Sequence, residues 1–228
     1  MKRRTQFFLC LLSACSAKGS GASSVIDTAA LKNSVKVDAP AAPQPATEPR
    51  IEWAITPGSE VEYSFEQVTR QMESSGKFSD LPRKGSIHAL PERQARFHPE
   101  GETASMVNLD VDRGHFVGWF FPIPPADRPY LDGTIKTTWQ REGYVTYKGA
   151  TCVHLSLEYR VPARDTGYGY TAELVGFGTV FYDPALGAPV LSRVAFAEIF
   201  SGLSMPAREF HLTMERRLPN STNSSSAP

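Results

Sequence analysis

Leu174-Val175-Gly176-Phe177-Gly178-Thr179-Val180-Phe181-Tyr182-Asp183-Pro184-Ala185-Leu186-Gly187-Ala188-Pro189-Val190-Leu191-Ser192 is the stretch on which the fold turns. A β-branched and aromatic run through Val180 and Phe181 meets Asp-Pro-Ala-Leu-Gly, and a second run continues from Val190 to Phe200. Such runs, separated by Pro and Gly, predict two antiparallel strands and the turn that joins them. Gly176 and Gly178 lie two apart and so share one face of the first strand. Without side chains there, the strand is free to bend or to admit another element at close range.

The same period recurs on both sides of this hairpin. Val153, Leu155, Leu157 and Tyr159 alternate with Cys152, His154, Ser156 and Glu158, and Phe210, Leu212 and Met214 alternate with Glu209, His211, Thr213 and Glu215. Further out, Val61, Tyr63 and Phe65 alternate with Glu60, Glu62, Ser64 and Glu66, and Ser105, Val107, Leu109 and Val111 with Met106, Asn108, Asp110 and Asp112. Period two with one wet face is the pattern of half-buried antiparallel strands. Ser74-Ser75-Gly76-Lys77, Asp112-Arg113-Gly114, Arg141-Glu142-Gly143, Tyr147-Lys148-Gly149 and Asp183-Pro184-Ala185-Leu186-Gly187 supply turn chemistry between the runs. No long window carries a helical period. Residues 81–96 hold a partly helical pattern interrupted by Pro82 and Pro91, and residues 201–208 suit a short turn. The prediction is an all-β domain, a mostly antiparallel meander of about eight to ten strands, its sheet curled or closed into a half-barrel or barrel to protect the edges. A β-sandwich is the alternative.

The strand-rich domain spans residues 51–218. Residues 15–50 shift to Ala, Ser, Gly, Lys and Pro, ending in Ala39-Pro40-Ala41-Ala42-Pro43-Gln44-Pro45-Ala46. That composition predicts a disordered linker, reaching on the order of 100 Å when extended. Residues 219–228, rich in Ser and Asn, predict a loose tail. Residues 1–14 read as a signal peptide, with Lys2, Arg3 and Arg4 ahead of the apolar run Phe7-Phe8-Leu9-Cys10-Leu11-Leu12. The run is far shorter than the roughly 20 apolar residues that span a bilayer.

Leu12-Ser13-Ala14-Cys15 follows directly and resembles the lipobox of bacterial lipoproteins: an aliphatic residue stands three before the cysteine, and small residues fill the next two places. The resemblance implies cleavage ahead of Cys15, acylation of Cys15, and a membrane lipid partner through those acyl chains, two or more of which anchor stably. By the sorting rule of enterobacteria-like lipoproteins, Ser16 after the cysteine implies the outer membrane, with the periplasmic or surface side left open. Ordinary signal cleavage, for instance after Ala17, is the alternative. The hairpin motif from Gly176 to Asp183, with Gly187 and Val190-Leu191-Ser192, resembles the closing hairpin of uncharacterised envelope lipoproteins built on curved antiparallel sheets. Some of these are similar to the lipid-carrier half-barrels of lipoprotein-sorting proteins.

Hydrophobic residues make up 41% and aromatic residues 11% of the chain, enough for a folded core without a cofactor. The 24 basic and 24 acidic residues balance; loss of Lys2, Arg3 and Arg4 with the signal leaves 21 against 24, a net charge of −3. A weakly acidic domain without a basic stripe has no electrostatic footprint for nucleic acid. Of the three cysteines, Cys10 leaves with the signal and Cys15 carries lipid, so Cys152 stands alone as a small buried residue.

The remaining motifs carry little chemistry. Asn108, Asp110 and Asp112 have the spacing of a calcium loop, but its sixth and twelfth positions are Arg113 and Trp119 instead of Gly and Glu. Cys152, His154 and Glu158 share a strand face, with His211 as a distant fourth residue, and two residues at i and i+2 do not make a zinc site. Ser74-Ser75-Gly76-Lys77 fits Ser-x-x-Lys only formally. No metal site and no catalytic residue is expected. Gly118-Trp119-Phe120-Phe121-Pro122-Ile123-Pro124-Pro125 departs from strand grammar, since its prolines cannot extend a central strand. It reads either as a plug over the open end of the sheet or as a rim where Trp119, Phe120, Phe121 and Ile123 contact an apolar ligand or protein partner. The expected function is non-enzymatic: a lipid-anchored envelope protein with a binding domain. A structural or accessory subunit of an envelope complex is the alternative, and an envelope hydrolase a third class.

Overall fold

The computed structural model describes residues 26–72, 78–109, 128–130, 133–165, 170–201 and 208–218. They hold one helix, α1 (Thr28–Ser34), and ten strands: β1 (Val61–Met72), β2 (Phe78–Leu90), β3 (Gln94–Pro99), β4 (Ser105–Asn108), β5 (Arg128–Tyr130), β6 (Gly133–Tyr147), β7 (Ala150–Asp165), β8 (Thr171–Asp183), β9 (Ala188–Ser201) and β10 (Arg208–Arg216). The strands form one sheet in the order β4-β3-β2-β1-β10-β9-β8-β7-β6-β5, every neighbouring pair antiparallel. All neighbours but β1 and β10 are also neighbours in sequence, so the chain is a meander whose first and last strands meet in the middle. The sheet is not closed: its two edges, β4 and β5, are consecutive in the chain. A single curled sheet replaces the two packed sheets of the sandwich alternative.

Alternation built these strands, and it sorts their side chains. Val61, Tyr63 and Phe65 of β1, Ile87 and Ala89 of β2, Ala95 and Phe97 of β3, Leu155, Leu157 and Tyr159 of β7, and Leu212 and Met214 of β10 meet in one buried cluster. Tyr63, Ile87, Ala89 and Ala95 are each 0% exposed, which one layer achieves only by curling over itself. Gly176 and Gly178 sit on this inner face. A Cβ on Gly176 would lie 2.6 Å from the Cβ of Phe196, and one on Gly178 would lie 3.3 Å from Leu157 Cδ1. The glycines therefore let neighbouring strands approach on the crowded side of the curl.

Two turns match their chemistry. Lys148 (φ 48°) and Gly149 (φ 81°) form a two-residue loop between Tyr147 and Ala150, and positive φ at both positions suits the right-handed twist of a hairpin. In the β8–β9 turn, Asp183 Oδ1 accepts from the amides of Ala185 and Leu186, while Gly187 takes φ 68°. Two local expectations are corrected. Residues 81–96 contain no helix: Pro82 falls where β2 runs past the end of β3, so the proline costs no ladder on that side, and Pro91 opens the β2–β3 turn. Arg141-Glu142-Gly143 is not a turn but a bulge within β6, where the register to β7 shifts and Gly143 takes φ 139°.

The largest departure concerns residues 26–50, expected to form part of a tether. They lie on the domain. Asp27 caps α1 by accepting from the amides of Ala29 and Ala30, each at 3.0 Å. Leu31 and Val35 then pack on Val175, Ala195 and Ala197, outer-face residues of β8 and β9. Val37 and Ala39 cover a second outer cluster of Val145, Cys152, Phe181, Val190 and Leu191. Ala41 bridges to Val145, with Ala42 N–H donating to Tyr144 O at 2.9 Å and Thr146 N–H to Pro40 O at 2.8 Å. Residues 40–42 thereby occupy part of the β6 edge beyond the reach of β5. The cause is the hairpin itself: β8 and β9 are apolar on both faces, and the outer one needs a cover.

Residues 51–55 then cross one end of the curl. Ala54 N–H donates to Gly187 O at 2.9 Å, and Tyr182 and Glu52 exchange hydrogen bonds of 2.6 and 3.2 Å. On the far side Trp53 Nε1 donates to Leu90 O at 2.9 Å. The segment thus links the β8–β9 turn to the end of β2.

Candidate functional site

The binding residues expected from sequence, Trp119, Phe120, Phe121 and Ile123, lie outside the described residues, as do the expected lipidation residue Cys15, the signal peptide and the tail. Asp110, Asp112 and Ser74 to Lys77 lie outside them too. The described residues place the other candidates firmly.

Cys152 and His154 point outward from β7, under and beside the N-terminal segment. Cys152 is 0% exposed, and its thiol is pushed up to about 12, by burial first and by the Asp183 charge second. A thiol in that state is neutral and inert. His154 is half-buried, with its ring edge-on to Phe181 at 5.2 Å between centroids; burial pushes it below the ordinary histidine value, outweighing the opposing pull of Glu142. Glu158 is exposed and pairs with Arg160 at 3.4 Å. His211 stands on β10, three strands from β7, where it pairs with Glu209 at 3.7 Å. Among the described residues no three of His, Cys, Asp and Glu come together as a metal-binding set.

A groove of about 450 Å³ opens between residues 32–38 and the outer face of β6, β7 and β8. Phe177 forms part of its wall, with the Lys32 ammonium 5.7 Å from the ring centroid. His154, Ser156 and Glu142 line it, and the Ser156 hydroxyl donates to the Glu142 carboxylate. This arrangement falls short of covalent catalysis. Ser156 is bonded to a carboxylate and not to the imidazole, and β7 is laddered on both sides by β6 and β8, so its amides are not aimed at an oxyanion.

A wider groove, about 960 Å³, lies at the end of the curl beside Ile55 and Leu186. Its charges are mutually satisfied: Arg217 pairs with Glu62 at 2.7 Å, Arg216 approaches Asp183 at 3.9 Å, and Glu60 meets His88 at 3.1 Å. Neither groove resembles the internal chamber that a lipid carrier needs. Among the described residues the inside of the curl is filled by its own side chains, with Tyr63, Tyr159, Ile87 and Leu155 each under 2% exposed.

Sequence reasoning missed the N-terminal wall of the smaller groove. The signal was present: Asp27 ahead of Ala29-Ala30-Leu31 is a helix start, and Ile26, Leu31, Val35 and Val37 are the large aliphatic residues in a stretch of otherwise small and polar ones.

No protein-family profile matches this chain, and no curated protein matches it. Among solved structures, a crystal structure of a domain from Vibrio parahaemolyticus, provisionally assigned as an outer membrane lipoprotein-sorting protein, is similar at 11% identity. The match covers 70% of this chain and 88% of that one, with a TM-score of 0.21. A likeness that loose carries no inference about function.

Proposed function

We propose that this chain is a non-enzymatic, lipid-anchored protein of the bacterial cell envelope whose β domain binds a protein partner. The lipobox-like Leu12-Ser13-Ala14-Cys15 supports the anchor and the compartment, with the outer membrane favoured by Ser16. The filled inner face of the curl is the observation that carries the choice of partner. Among the described residues the inner face is occupied by its own buried side chains, which argues against an acyl chain inside the curl and in favour of binding at surfaces and edges. The same face makes the domain a rigid scaffold, the property an accessory subunit of an envelope complex uses. An apolar ligand held by Trp119, Phe120, Phe121 and Ile123 is the second reading, favoured by three adjacent aromatics in a proline-rich segment.

Mass spectrometry of the mature protein tests the anchor: an acylated Cys15 terminus is expected, and an unmodified terminus at Ser16 or later overturns it. Photo-crosslinking residues placed at Trp119 and Phe121 in cells test the partner. A discrete protein adduct supports the leading reading, while native mass spectrometry of the purified domain retaining a lipid favours the second. Hydrolytic turnover abolished by Ser156→Ala overturns both.

A further inference from the structure

We infer that the N-terminal segment, by folding back onto the outer face of β8 and β9, shortens the anchor so far that the domain works at the surface of its own membrane. The inference rests on Cys15 being the lipidated residue, as proposed above. Its structural basis is the packed segment. Ile26 already joins the cluster formed by Leu31, Val35, Val175, Ala195 and Ala197, and residues 40–42 are tied to β6 by two backbone hydrogen bonds. Between Cys15 and Ile26 stand only residues 16–25.

Eleven residue steps span at most about 40 Å, whatever their conformation. Had residues 15–50 all been free, full extension would have exceeded about 115 Å. The difference decides which partners are reachable. β7 alone has 16 residues, about 50 Å of strand. The anchor is therefore shorter than the domain it holds, so the domain cannot move away from the bilayer by more than its own length. The attachment point lies on the outer face of β8 and β9, and that face is held nearest the lipid. A partner meets the domain at the surface of the same membrane, approaching from the sides not occupied by α1.

Energy transfer to a lipid acceptor measures this height. The acylated full chain is reconstituted into phosphatidylethanolamine–phosphatidylglycerol vesicles with acceptor-labelled lipid and a donor on Ala30→Cys, an exposed position of α1. A second preparation carries the donor on Met106→Cys of edge strand β4, which is 55% exposed. Stronger transfer is expected from position 30 than from position 106. Inserting about 40 Gly/Ser residues between Ser20 and Gly21 adds roughly 35 Å of average reach and is expected to cut transfer from both positions, at position 30 at least about twofold. Leu31→Asp with Val35→Asp, which unseats the segment, leaves position 30 on the released chain and is expected to lower transfer from position 106, which stays on the sheet. The insertion keeps the test valid if that double variant does not fold. Acylated protein in which neither the insertion nor the double variant lowers transfer from position 106 overturns this inference alone. A terminus without acyl chains overturns the anchor reading as well, and the two failures are told apart by the mass of the N-terminal peptide.

Discussion

The Tyr63 hydroxyl donates to the Pro189 carbonyl at 2.8 Å, joining β1 to β9 across the intervening β10. The bond lies inside the curl, where Tyr63 is 0% exposed and burial pushes its phenol far above the ordinary value. It is a neutral donor whose partner has no water to fall back on. Tyr63→Phe is expected to cost about 1–2 kcal/mol, read as a lower urea midpoint with an unchanged denaturant slope. An unchanged midpoint would show that the bond adds nothing to the curl.

Gly187 combines two demands. Its φ of 68° favours glycine, and a Cβ there would sit 2.5 Å from the carbonyl carbon of Ala54. Gly187→Ala must strain the turn and push residues 51–55 off the end of the curl, breaking the bond from Ala54 N–H. The expected loss is about 2–4 kcal/mol, with faster amide exchange at Ala54. Wild-type exchange at that amide in a destabilised variant would place the strain elsewhere.

Cys152 should be silent in the native state. With its thiol raised to about 12 and its surface covered by the N-terminal segment, iodoacetamide at pH 8 is expected to leave it unmodified in the folded protein and to alkylate it fully in urea. Alkylation of the native protein at the rate of a free thiol would mean that the segment opens readily.

Acid should weaken the fold in two stages. His154 is held below its ordinary 6.5 by burial. For Glu215, burial raises the carboxyl, but hydrogen bonds from Tyr147 and Lys148, with the charges of Lys148 and Arg193, outweigh it and hold the group below 4.5. Both groups have depressed values in the folded state, so the unfolded chain takes up protons first. Their stabilisation is complete above the unfolded values and is lost as pH falls through the folded ones. The first loss begins below about pH 6.5 and the second below about pH 4.5. Urea midpoints at pH 7.5 and 5.5 check the first stage: the wild type is expected to lose stability over that interval, and His154→Gln to lose less. Equal losses in the two proteins would assign the stage to other groups.

The strands were legible because their cause is local. Alternation at Val61, Tyr63 and Phe65, or at Phe210, Leu212 and Met214, follows from the two-residue repeat of an extended chain, and it predicted the buried faces of β1 and β10 correctly. Gly176 and Gly178 were legible for the same reason, as a same-face pair that admits Phe196. The candidate groove was not. Lys32 and Phe177 are far apart in the chain, and they meet only because an apolar outer face draws the N-terminal segment down. Likewise Arg141-Glu142-Gly143 has the composition of a turn, and only the pairing of β6 with a long β7 turns it into a bulge.

By itself, then, the sequence determined that this is an antiparallel all-β chain whose strands outside the β8–β9 hairpin mostly carry one apolar face, and it supplies the lipobox-like motif at Cys15. Tertiary structure alone decided that the sheet curls into one filled core without closing, that β1 and β10 meet at its centre, and that residues 26–50 belong to the domain. The physical reason is that strand period is written in neighbouring residues. Whether a short run of Ile26, Leu31, Val35 and Val37 stays free or docks depends on an apolar surface assembled from β8 and β9, more than a hundred residues away.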